Sequence, residues 1–174
     1  MVYFQRTTKA RDAKLYGVAP SGALSSRGLE ITGARDATEL LAQIHSGAWT
    51  AEEVTLAFCK RAITAHQHVN CIVDNDMEAA VERARELDRH FQRTDKNLVG
   101  PLHCLPVSIK DLTVVKVLRY TMGYVSWVDN ISEEDAVLIE TLHISGAVIF
   151  VKTTMPQSRM PIDHMWMDVA ILNR

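Results

Sequence analysis

The sequence is poor in most of the features that mark a specialised chain. It holds only three cysteines in 174 residues, Cys59, Cys71 and Cys104, set 12 and 33 residues apart. That odd, wide spacing is neither a disulfide framework nor a zinc site, and all three read as small buried hydrophobes of a reducing compartment. An excess of charge of one sign is also missing: 19 Lys+Arg stand against 21 Asp+Glu, a net charge of −2. A nucleic-acid partner needs a clustered basic surface, so none is expected. Long apolar runs are absent too. The longest, such as Ala147-Val148-Ile149-Phe150-Val151, are strand-sized and far short of the ~18 residues of a membrane span. Residues 1–14 scatter charges where a secretory leader would have an apolar stretch, which points to a cytoplasmic protein.

What is present is ordinary globular chemistry, 47% hydrophobic and 23% charged, in a length that suits one domain of roughly 100–200 residues. Residues 1–34, with Gly17, Pro20, Gly22, Gly28 and Gly33 among many Ser and Thr, read as an irregular leading arm. From Asp36 the period becomes helical. Ala37, Leu40, Leu41 and Ile44 share one face, and Gly47 stops the helix. Thr50 with Glu53 forms a capping box for a second helix, apolar at Val54, Ala57, Phe58, Ala62 and Ala65. A third turns Met77, Ala80, Val81 and Ala84 inward, with Glu82/Arg85 and Glu86/Arg89 as pairs on its wet face.

After Gly100-Pro101 the pattern changes again. Leu105–Ile109 is a short strand ending in Lys110-Asp111, and Ser132 with Asp135 caps a fourth helix, apolar at Ala136 to Ile139 and Leu142. Gly146 closes it, and Ala147–Val151 is a second strand. Strand, helix and strand make a crossover unit, which pairs parallel strands. The fold class expected is therefore α/β: a helical N-terminal region, then the start of a mixed or parallel sheet covered by helices.

The chemistry-bearing candidate is Lys110. A lysine ending an apolar strand sits where open α/β sheets place their sites. Walled by Val107, Ile109 and Leu112, it would be held in the neutral form that a base needs, because burial disfavours an ammonium. A lysine in that place can equally pair with Asp111 or reach solvent. Other chemistries lack their residues. The sequence has no Gly-x-Ser-x-Gly elbow and no Gly-x-x-x-x-Gly-Lys-Ser/Thr loop. His66 and His68 fall on different helix faces, and His45, His90, His103, His143 and His164 lack ligand spacing.

The segment Gly100-Pro101-Leu102-His103-Cys104-Leu105-Pro106-Val107-Ser108-Ile109-Lys110-Asp111 resembles the lysine-bearing segment of the amidase signature family. Tyr120–Tyr124, Glu134–Val137, Ser145–Val148 and Val151–Gln157 continue the resemblance. Asp36–Cys71 is similar to the fungal acetamidase-like branch of that family. The resemblance runs from about residue 20 to residue 160. It implies hydrolysis of carbon–nitrogen bonds in small amides by a nucleophilic serine, a bridging serine and Lys110 as general base, with no metal or organic cofactor.

The departures are as informative. The family's serines and oxyanion-hole glycines lie in a Gly-Gly-Ser-Ser-Gly-Gly-type stretch downstream of the segment resembling Val151–Gln157, and residues 1–174 contain none. Ser108 and Ser126 are strand and loop serines that do not replace them. Cys104 stands where relatives often have Gly, Thr154 where they often have Asn, and Gln157 where they often have Glu. The tail from Met160 lacks the expected Asn- and Gly-rich character. The organisation expected is thus an arm (1–34), the N-terminal part of an amidase-signature domain (35–159) and a divergent tail (160–174). Such a chain would be catalytically silent and poorly stable by itself, with an open sheet edge available for self-association. The alternative reading is a non-catalytic remnant or interaction fragment of an amidase.

Overall fold

A computed structural model describes residues 24–156; Gln157 and the tail 160–174 lie outside the described residues. Helix α1 (Ser26–Thr32) is followed by α2 (Ala37–Ser46) and α3 (Ala51–Val69). Strand β1 (Ile72–Asn75), helix α4 (Met77–Arg93) and strand β2 (Pro106–Lys110) come next. A single 3-10 turn (Val125–Trp127), helix α5 (Val137–Ile144) and strand β3 (Val148–Thr153) complete the order.

Local chemistry sets the helix ends. The Asp36 carboxylate accepts the Glu39 amide, and Gly47 closes α2 in the left-handed region at φ +81°. At α3 the Thr50–Glu53 capping box forms as the spacing requires. One further cap is tertiary: Asp88 of α4 accepts the amides of Ala51 (2.8 Å) and Glu52 (3.0 Å), so its negative charge sits at the α3 N-terminus. On the wet face of α4, Arg85 pairs with Glu82 as expected, but Arg89 reaches Glu82 and Glu86 takes Arg83. Exposed pairs of this kind contribute at most ~1 kcal/mol each.

The sheet is mixed, in order β1-β3-β2. Strand β3 runs antiparallel to β1 and parallel to β2, so the crossover through α5 pairs parallel strands as the sequence implies. Helices α3 and α4 pack on β3 and on each other, and Leu40, Ile44, Val54, Ala57, Met77, Ala80, Ala84 and Leu87 share one main core with Val148, Phe150 and Val151. A smaller cluster on the other side joins Ile109, Val115, Leu118 and Ile139, with Val107 and Ile149 against it. Cys59 and Cys104 are buried, and Cys71 only partly.

Two glycines fix the entry to both parallel strands. Leu102 N donates to Ser145 O and Cys104 N to Gly146 O, which brings two backbones into contact. A Cβ on Gly100 would lie 2.7 Å from Ser145 O, and one on Gly146 (φ +86°) 2.9 Å from His103 Cα. Cys104 itself is left-handed at φ +67°. That is a conformation glycine adopts readily and other residues hold at a cost.

Three expectations need correction. Part of the leading arm is helical: α1 is capped by Ser25, whose Oγ accepts from Gly28 N, and it buries Ile31. Ser132 and Asp135 do not cap α5. Asp135 is taken by Lys116 N (2.6 Å), Ser132 Oγ donates to Glu134 O, and the helix starts later, at Val137, with no side-chain cap. Nor is α5 enclosed by the described residues, since Ile139 is buried while Val137 and Ile144 are each 76% exposed.

Candidate functional site at the strand ends

Strands β2 and β3 end side by side, with Lys110 opposite Thr153 and Ile109 opposite Lys152. Alternation along β2 decides which side chain goes where. Ile109 turns into the smaller core, while Ser108 and Lys110 are exposed. Among the described residues Lys110 makes no hydrogen bond or ion pair. The apolar wall expected around it therefore does not form here: Ile109 faces the other way by the two-residue period. Asp111 does not pair with Lys110 either.

Asp111 instead is completely buried. Its carboxylate accepts the Thr121 amide (3.1 and 3.2 Å), the Thr121 hydroxyl (2.6 Å) and the Gly123 amide (3.4 Å). Its own amide donates to Thr153 O (3.0 Å), tying the strand end to β3. The Lys152 Nζ lies 3.8 Å from Asp111 Oδ1, both side chains being fully enclosed, and donates to Arg119 O. Arg119 in turn gives its amide (3.0 Å) and guanidinium (3.4 Å) to Asp74 of β1. Two carboxylates and two cations thus lie in one connected, charge-balanced network drawn from all three strands and the loop between β2 and α5. Burial pushes the Lys152 ammonium below the ordinary lysine range, against the opposing pull of Asp111 and Asp74.

The other candidates are accounted for separately. His66 Nδ1 accepts Ile72 N (3.0 Å) and secures the α3–β1 turn; His68 is exposed on another face of that helix. Ser126 is an exposed residue of the 3-10 turn. A cavity of about 350 Å3, lined by Trp49, Asp88, Phe91, His103 and Cys104 among others, uses no residue of the strand ends. Beside it His103 is buried, its Nδ1 accepting Val99 N (3.2 Å). Burial, then the neighbouring His45, lowers His103 from 6.5 to about 4. Burial pushes the Cys104 thiol up to about 12, the opposite of what a nucleophilic thiol needs.

Sequence reasoning singled out Lys110 and passed over Lys152 and the bonds of Asp111. The available signal was a cation directly after the apolar run Ala147–Val151, inside what proves to be one strand reaching Thr153.

A family model described as amidase matches residues 53–165, which include both strand ends. The chain belongs to the amidase family. It is 49% identical over 140 residues to an acetamidase of Aspergillus oryzae, covering 80% of this chain and 25% of that protein. To an acetamidase of Emericella nidulans it is 44% identical over 155 residues, covering 89% of this chain and 28% of the relative. The amidase fold is also seen in solved structures. A fatty acid amide hydrolase superposes with a TM-score of 0.73 at 36% identity, covering 79% of this chain and 24% of that one. The native peptide amidase of Stenotrophomonas maltophilia gives 0.62 at 26% identity, over 70% of this chain and 25% of its own. The chain spans about a quarter of the length of the curated amidases it matches.

Proposed function

We propose that these residues carry the general base of an amidase that hydrolyses carbon–nitrogen bonds in small amides, and that Lys110 is that base. The observation that supports this most is its place: an amine without a partner among the described residues, at the carboxyl end of a parallel strand pair and inside the segment matched by the family model. In this reading the neutral Lys110 amine takes the proton of a nucleophilic serine through a bridging serine. The serine oxygen adds to the amide carbonyl, the amine or ammonia leaves with a proton, and water releases the acid from the acyl-enzyme. Neither serine is supplied by residues 1–174, which contain no Gly-Gly-Ser-Ser-Gly-Gly-type stretch. By themselves these residues hold the base without its nucleophile and turn over no amide. Polypeptide packed over the exposed Ser108–Lys110 face would also supply the burial that favours a neutral amine.

The test is acetamide hydrolysis by the chain continued through a serine segment, with and without Lys110→Ala. Loss of a positioned base lowers turnover by ~10²–10⁴-fold. Near-normal turnover by a folded Lys110→Ala enzyme would overturn the assignment. An intact mass of the native gene product, read beside this assay, separates the enzyme from a non-catalytic remnant: a product of 19.5 kDa favours the remnant, and a longer one the enzyme.

A further inference from the structure

We infer that Asp111 is the positioning residue for Lys110, and that the Lys152 ammonium holds it in place; this rests on the reading of Lys110 as the base. Lys110 and Asp111 are consecutive at the end of β2, so the backbone that aims one side chain also carries the other. At Lys110 that backbone is paired with β3, and the Lys110 side chain itself is exposed. At Asp111 the strand end is clamped by side-chain bonds as well. The carboxylate draws in Thr121 and Gly123, and between them Met122 is held left-handed at φ +48°, next to Gly123 at φ +79°. A non-glycine residue in that region is strained by about 1 kcal/mol or more and persists where its surroundings over-determine it. Amides converging from such a turn form a pocket for an anion, here the Asp111 carboxylate.

Lys152 closes the arrangement from β3. It faces the same carboxylate at 3.8 Å and grips the loop at Arg119 O, while Arg119 is fastened to Asp74 on β1. Loop residues 119, 121 and 123 are therefore each tied to a strand end. Apolar side chains of similar volume would stabilise a core as well as such a buried pair does or better, and what the charges add is one fixed arrangement. That arrangement begins at Asp111, the residue next to Lys110, and the Asp111 amide is bonded to Thr153 O.

The experiment uses the chain continued through a serine segment, isotope-labelled, comparing the parent, Asp111→Asn and the double variant Asp111→Asn/Lys152→Met. In Asp111→Asn, amide exchange at Thr121 and Gly123 quickens by about tenfold, as for loss of a hydrogen bond to a charged acceptor. The side-chain Cε and Hε resonances of Lys110, too far along the side chain to feel the neighbouring substitution through bonds, move, while exchange at Ala84 in the α4 core keeps its parent rate. The double variant removes the stranded cation and recovers the melting temperature, yet leaves the Lys110 resonances displaced. Stability and positioning are thereby separated. Recovery of both in the double variant would reduce Asp111 to an ion-pair partner and overturn the inference, as would unmoved Thr121, Gly123 and Lys110 signals in Asp111→Asn. Should Asp111→Asn fail to fold, Thr121→Val removes only the 2.6 Å hydroxyl bond and displaces Lys110 in the same sense; unmoved Lys110 signals there overturn the inference equally. These spectra do not depend on turnover. A dispensable Lys110 in the hydrolysis assay would overturn the functional reading alone, and indifferent spectra the positioning role alone.

Discussion

Lys110 and Lys152 end adjacent strands one register step apart, and their surroundings are opposite. Lys152 is wholly enclosed, facing Asp111 and bonded to the loop carbonyl of Arg119. Lys110 is exposed and carries no partner among the described residues. Burial, ion pairing and a lowered ammonium would all single out Lys152, although such signs mark structural networks as readily as active sites. What points to Lys110 in the proposed reading is the resemblance of its own segment to the lysine-bearing segment of the family, with its place at the strand end. In that reading the strand ends divide two tasks between them, a cation that holds the loop and an amine left for chemistry.

The comparison breaks most visibly if Lys152 is removed. Lys152→Ala strands the buried Asp111 carboxylate, and losing one partner of a buried pair costs about 3–5 kcal/mol. Urea unfolding of the variant chain should show that loss; a change below ~0.5 kcal/mol would mean that the network adds nothing to stability.

A second test asks whether the region around His103 is as tightly closed as the network at the strand ends. His103 titrates at about 4 in the folded chain against 6.5 ordinarily, so the unfolded chain takes up a proton there that the folded chain refuses. Its contribution is intact above pH 6.5 and is lost as pH falls toward 4. The linked loss reaches about 3 kcal/mol at the acid end. Stability followed between pH 7 and 4 should fall in the parent and more shallowly in His103→Gln; parallel curves would exclude His103 as the cause.

Gly146→Ala gives a smaller effect. The new Cβ lies 2.9 Å from His103 Cα at a left-handed backbone angle, a strain of roughly 1–3 kcal/mol. Thermal unfolding reads it directly, and an unchanged midpoint would show that the two backbones can part without loss.

How much of this was legible in the sequence follows from how local each cause is. Both ends of α2 and the start of α3 follow from Asp36, Gly47, Thr50 and Glu53, all within one helical turn of what they cap. Lys110 was legible because its segment resembles a known one. Strand β1 was not, because half of its four residues are the polar Asp74 and Asn75, buried by pairing with the distant β3. The start of α5 was misread because Ser132 and Asp135 match a capping pattern while Asp135 is already taken by Lys116. Lys152 escaped notice for a related reason. Its partners come from Asp111, Arg119 and Asp74, three separate stretches that only the fold brings together.

The most direct measurement pairs two readings of Lys110→Ala: unfolding of the 174-residue chain, and acetamide hydrolysis in the chain continued through a serine segment. An exposed lysine without partners among the described residues should leave stability within about 0.5 kcal/mol of the parent, while turnover drops by ~10²–10⁴-fold. A stability loss as large as that of Lys152→Ala, or hydrolysis at the parent rate, would contradict the division of labour between the two lysines.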